Sequence, residues 1–287
     1  MMNKVWTSVI FVIFFVLYGM FSANPGDDGE NQAASITIAG DVSGQVQTLN
    51  GLDMIVPAGE IHAMAWIDGK LYINELLPDK TVLHAYTLQE ENLTEAGTSV
   101  LPTQEGTSRR TEGHFLQGED GQWYYMDGNE AAKYVGGSFQ VTERQSLQLL
   151  KSESAVLTDS VIDSKLDQQG RFYMAYKKDR NWTVVQYSGE GKSLLEFGGK
   201  GGEYMHSLNG FAVTSAFVLA GGNEYISLWS LDGKFQGHQE VNKLFTPNAG
   251  ITAVAQDGDT VYLLCRGPVN EGKQPLSLLR IAALTGA

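Results

Sequence analysis

The chain has 287 residues, 43% of them hydrophobic and 10% aromatic, with 33 acidic against 20 basic side chains and a net charge of −13. That composition belongs to a globular protein with chain enough for a large core; its acidity repels phosphate backbones and anionic head groups, which argues against nucleic-acid binding and peripheral lipid binding. The one cysteine, Cys265 in the apolar run Val261-Tyr-Leu-Leu-Cys265, leaves no intrachain disulfide framework and reads as a buried, inert thiol.

The first predicted element is hydrophobic. Lys4 precedes Val5–Phe21, which carries no charge, and Asp27, Asp28 and Glu30 follow it. Extended to Ala23, the segment is roughly 28 Å long as a helix, close to the hydrocarbon thickness of a bilayer. Residues 1–23 therefore read as a signal-anchor or a signal peptide. The flanking charges put the N-terminus inside and the domain outside. Phe21 would occupy the −3 position for cleavage after Ala23, where a small residue is wanted, which favours the uncleaved form. No cysteine follows the segment, so a lipoprotein is excluded. The expected location is the cell membrane, single-pass with the domain outside the cytoplasm, or else secreted or periplasmic. Residues 24–34 are polar and turn-rich, as a linker is.

From residue 35 onward the chain repeats itself. A glycine-containing turn is followed by tyrosine within a short apolar run in Asp68-Gly-Lys-Leu-Tyr72-Ile, Asp120-Gly-Gln-Trp-Tyr124-Tyr, Gln169-Gly-Arg-Phe-Tyr173-Met, Gly221-Gly-Asn-Glu-Tyr225-Ile and Gly258-Asp-Thr-Val-Tyr262-Leu. Asp-Gly is a two-residue hairpin signal, because glycine accepts the positive φ of the turn. Strand-like runs precede each turn (Ile61–Ile67, His114–Gln117, Ser160–Leu166, Gly210–Leu219 and Ile251–Ala255), and a second pair of strands follows, as in Val82–Leu88 with Leu93–Ala96. Repeats of 40–50 residues with this content predict an all-β fold, a β-propeller of four-stranded blades. The tyrosines read as packing between blades. The last unit stops after a third strand at Leu276–Ala283, and Ser35–Leu49 is placed to supply its missing outer strand. Residues 35–287 then hold about five blades, or six if residues 36–58 form a fuller one.

Residues 175–213 resemble the NHL-repeat and TolB-like propeller family. Tyr187-Ser-Gly-Glu-Gly-Lys-Ser-Leu-Leu-Glu-Phe-Gly-Gly-Lys-Gly-Gly202 follows the family's aromatic, turn, Gly-Lys, strand, Phe-Gly and glycine-rich loop. Leu208-Asn-Gly-Phe-Ala-Val213 is similar to the start of a new blade but lacks the family's proline, and Asn181 stands before a third strand. The match covers about 40 residues well. It implies the fold and no activity, since such propellers serve as lyases, lactonases, sensor domains and binding modules.

Several motifs fail as chemistry. Gly189-Glu-Gly-Lys-Ser193 resembles the end of a phosphate loop, but residue 186, where the first glycine belongs, is Gln, and the run lies in a hairpin. No Gly-x-Ser-x-Gly elbow occurs. Asn92-Leu-Thr94 and Asn181-Trp-Thr183 are glycosylation sites only in a eukaryotic host. Arg109 and Arg110, in a polar loop, are candidates for binding an anion. His84, His206 and His238 read as surface residues.

One constellation remains. Seven residues before Gly69, Gly121 and Gly170 stand His62, His114 and Asp163, and two residues before each histidine stands a glutamate, Glu60 or Glu112. The strand before this turn is the innermost of a blade, so its start faces one mouth of the central channel. His62, His114 and Asp163 converging there would hold a divalent metal, zinc or calcium, with Glu60 or Glu112 as general base. The fourth and fifth units offer Ser215 and Ile251 instead, so the ring is not uniformly polar. Some NHL-type lyases resemble this arrangement, with metal ligands drawn from several blades. The leading expectation is an extracytoplasmic, membrane-tethered or secreted module that binds a protein, peptide or glycan at one mouth of the propeller. A metal-dependent lyase or hydrolase is the alternative.

Overall fold

Near-continuous runs of apolar residues, broken by glycine turns, produce strands that bury both faces, as in Val261-Tyr-Leu-Leu-Cys265. The computed structural model describes residues 34–39, 42–50, 59–102, 113–127, 130–143, 149–150, 161–178, 181–198, 205, 207–244, 250–267 and 276–285. The hydrophobic N-terminal segment and its linker through residue 33 lie outside them. No helix among the described residues is long and apolar enough to cross a membrane.

In chain order, β1 (Ala34–Ala39) and β2 (Val42–Leu49) form an antiparallel pair. An antiparallel meander follows: β3 (Met64–Ile67), β4 (Lys70–Leu76), β5 (Lys80–Gln89) and β6 (Asn92–Pro102). The same order recurs in β7 (His114–Gln117), β8 (Trp123–Asp127), β9 (Glu130–Val135) and β10 (Ser138–Thr142), and then in β11 (Val161–Leu166), β12 (Phe172–Lys178), β13 (Asn181–Tyr187) and β14 (Ser193–Phe197). It recurs again in β15 (Gly210–Val213), β16 (Phe217–Gly221), β17 (Tyr225–Ser230) and β18 (Phe235–Glu240). A single helical turn, α1 (Val241–Leu244), leads to β19 (Gly250–Asp257), β20 (Thr260–Arg266) and β21 (Leu276–Thr285). β2 pairs with β21, so the final sheet reads β1-β2-β21-β20-β19 and is closed by two strands from the start of the chain rather than one.

The first strands of the meanders form a closed ring. β3 contacts β7, β7 contacts β11, β11 contacts β15, β15 contacts β19, and β19 returns to β3. β7 and β11 run parallel, with Ser164 opposite Leu116. Antiparallel meanders set around a ring of inner strands are the β-propeller architecture.

The core lies between successive sheets, and the two-residue period distributes it. Along β4, Leu71 and Ile73 enter the cluster shared with the last sheet, whereas Tyr72 between them faces Phe115 and Tyr125 of the next meander. Tyr124, Tyr173 and Tyr262 are likewise buried on second strands, at β8, β12 and β20. Tyr225 departs from this column: it begins β17, a third strand. The inner hairpin of its meander is Thr214–Phe217, closed by Thr214 N–H to the Phe217 carbonyl at 2.9 Å, with no glycine in it. Gly221 and Gly222, which imitated the hairpin signal in sequence, join β16 to β17 instead. Cys265 is buried, and burial pushes its thiol up to about 12, so it stays protonated and inert.

Candidate functional site

Starts of the inner strands meet at one mouth of the ring, and their hairpins meet at the other. At the first mouth lies a cavity of about 710 Å³ whose wall includes His62, His114, Ile162, Asn209 and Thr252. Hairpin geometry explains four of these five, and His114 follows the matching Gly113 by one residue. The inner hairpins close at Ile67–Lys70, Gly118–Gln122, Asp167–Arg171, Thr214–Phe217 and Asp257–Thr260. Five residues before each closing position stand His62, Gly113, Ile162, Asn209 and Thr252. The loop in the first repeat has two residues, Asp68 and Gly69, with φ of 49° and 73°. The loops at 119–121 and 168–170 have three, so counting back from their glycines arrives one residue late. Asp163 is therefore out of step with His62, and Ile162 takes the matching place. Ser215, the fourth residue found by counting, lies in the hairpin at the opposite end, and Asn209 faces the cavity in its stead.

His62 is positioned by a buried amide. Asn74 Oδ1 accepts hydrogen bonds from the backbone N–H groups of His62 at 2.9 Å and Ala63 at 2.7 Å, while Asn74 Nδ2 donates to Tyr125 Oη at 3.0 Å. Gly113 completes this joint, because a Cβ there would sit 1.7 Å from Tyr125 Oη. His62 Nε2 lies 3.0 Å from Glu60 Oε2. His114 stands beside it and is partly buried. Burial first, and the neighbouring His62 second, push the His114 imidazole down to about 4, so it is neutral at physiological pH. Arg266 also lines the cavity, and its guanidinium donates to the Ile61 carbonyl.

Asp163 does not join the histidines. A bulge between Val161 and Asp163 leaves Ile162 on the cavity wall. The Asp163 carboxylate turns toward β15, where Oδ2 accepts from Phe211 N at 3.1 Å and pairs with Lys165 Nζ at 3.0 Å. Both side chains are buried, at 7% and 4% exposure. Burial raises the Asp163 carboxyl above its ordinary range, and the Lys165 ammonium and Phe211 N–H act against that rise. Glu112, Arg109, Arg110 and His206 lie outside the described residues. His84 is not a free surface residue: it is partly buried on β5 and pairs with Glu75 Oε2 at 2.9 Å. Among the described residues, no group of three or more His, Cys, Asp or Glu side chains is placed to hold a metal ion.

The cavity also recruits residues that sequence reasoning passed over. Asn223 and Glu224 come from the link between β16 and β17, Tyr225 from the start of β17, and Asn242 from α1. The link is held firmly: Asn223 N donates to Ser207 Oγ at 2.8 Å, and Val241 N donates to the Glu224 carbonyl at 2.7 Å. Their one sequence signal was the missing glycine of the fourth inner hairpin, which displaces that repeat by a strand.

No protein-family model matches the sequence, and no curated protein matches it. Solved structures similar to it include a catalytically inactive virginiamycin B lyase from Staphylococcus aureus with quinupristin, at 11% identity over 84% of this chain and 99% of that one, with a TM-score of 0.38. A gluconolactonase from Xanthomonas campestris aligns at 12% identity over 92% and 98%, with a TM-score of 0.42. A luciferin-regenerating enzyme aligns at 7% identity over 90% and 94%, with a TM-score of 0.41. The propeller assignment rests on the strand topology rather than on these scores. The chain is a β-propeller protein.

Proposed function

We propose that this protein is a five-bladed propeller, each meander one blade, that acts as a binding module through the mouth where the inner strands begin. In this reading the hydrophobic N-terminal segment carries the propeller outside the cytoplasm, as a membrane tether or an export signal, and the NHL-type run in the third blade marks ancestry rather than activity. The observation that carries the reading is the cavity itself. Its volume falls within the roughly 300–1,000 Å³ of small-molecule sites, and Asn74, Ser207 and Val241 hold its walls in place before any ligand arrives. Pre-set walls reduce the ordering cost of binding. The test is a thermal-shift screen of the full chain in mild detergent against small polar metabolites, sugars and short peptides. A ligand that raises the melting temperature of the wild type, and not of a Thr252→Trp variant with its cavity blocked, supports the module. Stabilisation that survives the blockade places binding elsewhere and sinks it.

A metal-dependent lyase or hydrolase is the competing reading, motivated by two imidazoles at one cavity, one of them neutral at physiological pH. It keeps His62 and His114, with Glu60 beside them, and loses Asp163 as a ligand. Imidazole donors favour zinc over calcium. This reading expects zinc to raise the melting temperature of the full chain and His62→Ala/His114→Ala to abolish the rise. An unchanged melting temperature with zinc would dispose of it.

A further inference from the structure

Resting on the binding reading above, we infer that the ligand of this mouth is a neutral oligosaccharide. Asn209, Asn223 and Asn242 line the cavity with Glu224, Tyr225 and Thr252. These side chains are hydrogen-bonding groups set around one aromatic ring. An amide offers a donor and an acceptor at the spacing of two neighbouring sugar hydroxyls, and a carboxylate accepts from such a pair. The amides are already oriented. Asn209 Nδ2 donates to Asn223 Oδ1 and to the Ile251 carbonyl, both at 2.6 Å. Those bonds engage the Asn209 donors within the wall and leave its Oδ1 as the acceptor face, while the Asn223 amide keeps its NH2 as a donor beside it.

The aromatic element is equally fixed. Tyr225 is partly buried, and its ring meets His238 edge-on at 5.2 Å between centroids. Gly222 N donates to the Tyr225 carbonyl at 2.9 Å. Gly222 also packs so closely on Ser207 that a Cβ would fall 2.3 Å from the Ser207 carbonyl oxygen. The loop bearing Asn223 and Tyr225 thus cannot swing away when a ligand enters. A ring held this way covers the C–H face of a sugar, while the amides take its hydroxyls.

Charge narrows the class. Arg266, Glu224 and Glu240 all line the cavity, and the protein as a whole carries −13. Polyanionic glycans are repelled by that field. A peptide docking here would lack the broad apolar centre that anchors such contacts.

The experiment is an array of neutral gluco-, manno-, galacto- and xylo-oligosaccharides, printed beside sialylated and sulfated glycans, probed with the full chain in mild detergent. We expect retention on a neutral oligosaccharide, competed by the same sugar in solution and unchanged between low and moderate salt. Thr252→Val and Asn242→Leu, which touch no bond of the wall, should each weaken it about tenfold, the loss of one hydrogen bond. Tyr225→Leu should weaken it at least as much. Retention only on anionic glycans, or none on any neutral one, overturns the sugar assignment. Neutral-sugar binding that these three variants leave intact overturns it as well. The binding reading is judged separately, by whether any screened ligand loses its thermal shift on Thr252→Trp, so a failure of the sugar assignment alone is told apart from a failure of the binding reading.

Discussion

The two mouths of the ring are the two ends of the same inner strands, yet they are filled to different degrees. At the hairpin end, side chains bind one blade to the next. Asp259 accepts from Ser215 N at 2.6 Å, from Ser215 Oγ at 2.9 Å and from Gln168 Nε2 at 3.1 Å, tying three inner hairpins together. Gln256 brackets the backbone of Val213, and Gln117 Oε1 accepts from Leu166 N at 2.8 Å. The space remaining there is about 220 Å³. At the other end Asn209 Nδ2 still reaches the Ile251 carbonyl of the next sheet and Arg266 the Ile61 carbonyl, but the cavity that remains is three times larger. Closer packing at the hairpins leaves the wider space at the starts of the strands.

The difference is broken most severely at Asp163, which lines the space at the hairpin end. Asp163→Ala leaves Lys165 buried beside Phe211 with no counter-charge, and removes the acceptor of Phe211 N. Loss of one member of a buried pair costs about 3–5 kcal/mol. Chemical denaturation should show that loss, and Asp163→Leu/Lys165→Met should recover most of it. An Asp163→Ala protein of wild-type stability would mean that water already reaches the pair.

At the open end, His114 sharpens the contrast through pH. Its folded-state value of about 4 lies below the ordinary 6.5. Between those values the unfolded chain binds more protons than the folded one, so stability falls as pH falls. Relative to pH 7, the wild type should lose about 2 kcal/mol at pH 5 through this group alone. His114→Gln should remove that part of the pH dependence, read as the difference between denaturation curves of the two proteins. Parallel pH profiles would mean that His114 titrates as an exposed histidine does.

What could be read beforehand follows the same division. Asp68-Gly69 and Gly258-Asp259 announced their hairpins because a two-residue turn demands positive φ, and the structure has it at 49°, 73° and 57°. Tyr72, Tyr124, Tyr173 and Tyr262 were legible as packing because each follows its hairpin at one spacing. Tyr225 was not, since Thr214–Phe217 turns without glycine and its Thr214 Oγ1 instead accepts from Phe217 N at 3.0 Å. The extra residue in the loop at 168–170, together with the bulge between Val161 and Asp163, put Ile162 on the cavity wall and Asp163 off it, whereas His114, displaced by the same count, still reaches the wall. His62 and His114 were found because they flank the strand starts. Asn223 and Asn242 were missed because they reach the cavity from a different strand pair and from α1, a matter of tertiary placement.

The mildest test separates the two ends directly. Asp259 is exposed, so water replaces much of what its three hydrogen bonds contribute. Asp259→Ala should cost only about 1 kcal/mol. Its value lies in where the effect is felt. Hydrogen exchange should quicken at the Ser215 amide, whose acceptor is gone, and stay unchanged at the His62 and Ala63 amides, which Asn74 holds at the far mouth. Ligand-induced stabilisation should also be unchanged, because nothing that lines the cavity touches Asp259. If Asp259→Ala loosened both sets of amides together, the two mouths would be one cooperative unit, and the larger cavity could not be rigid independently of the hairpins.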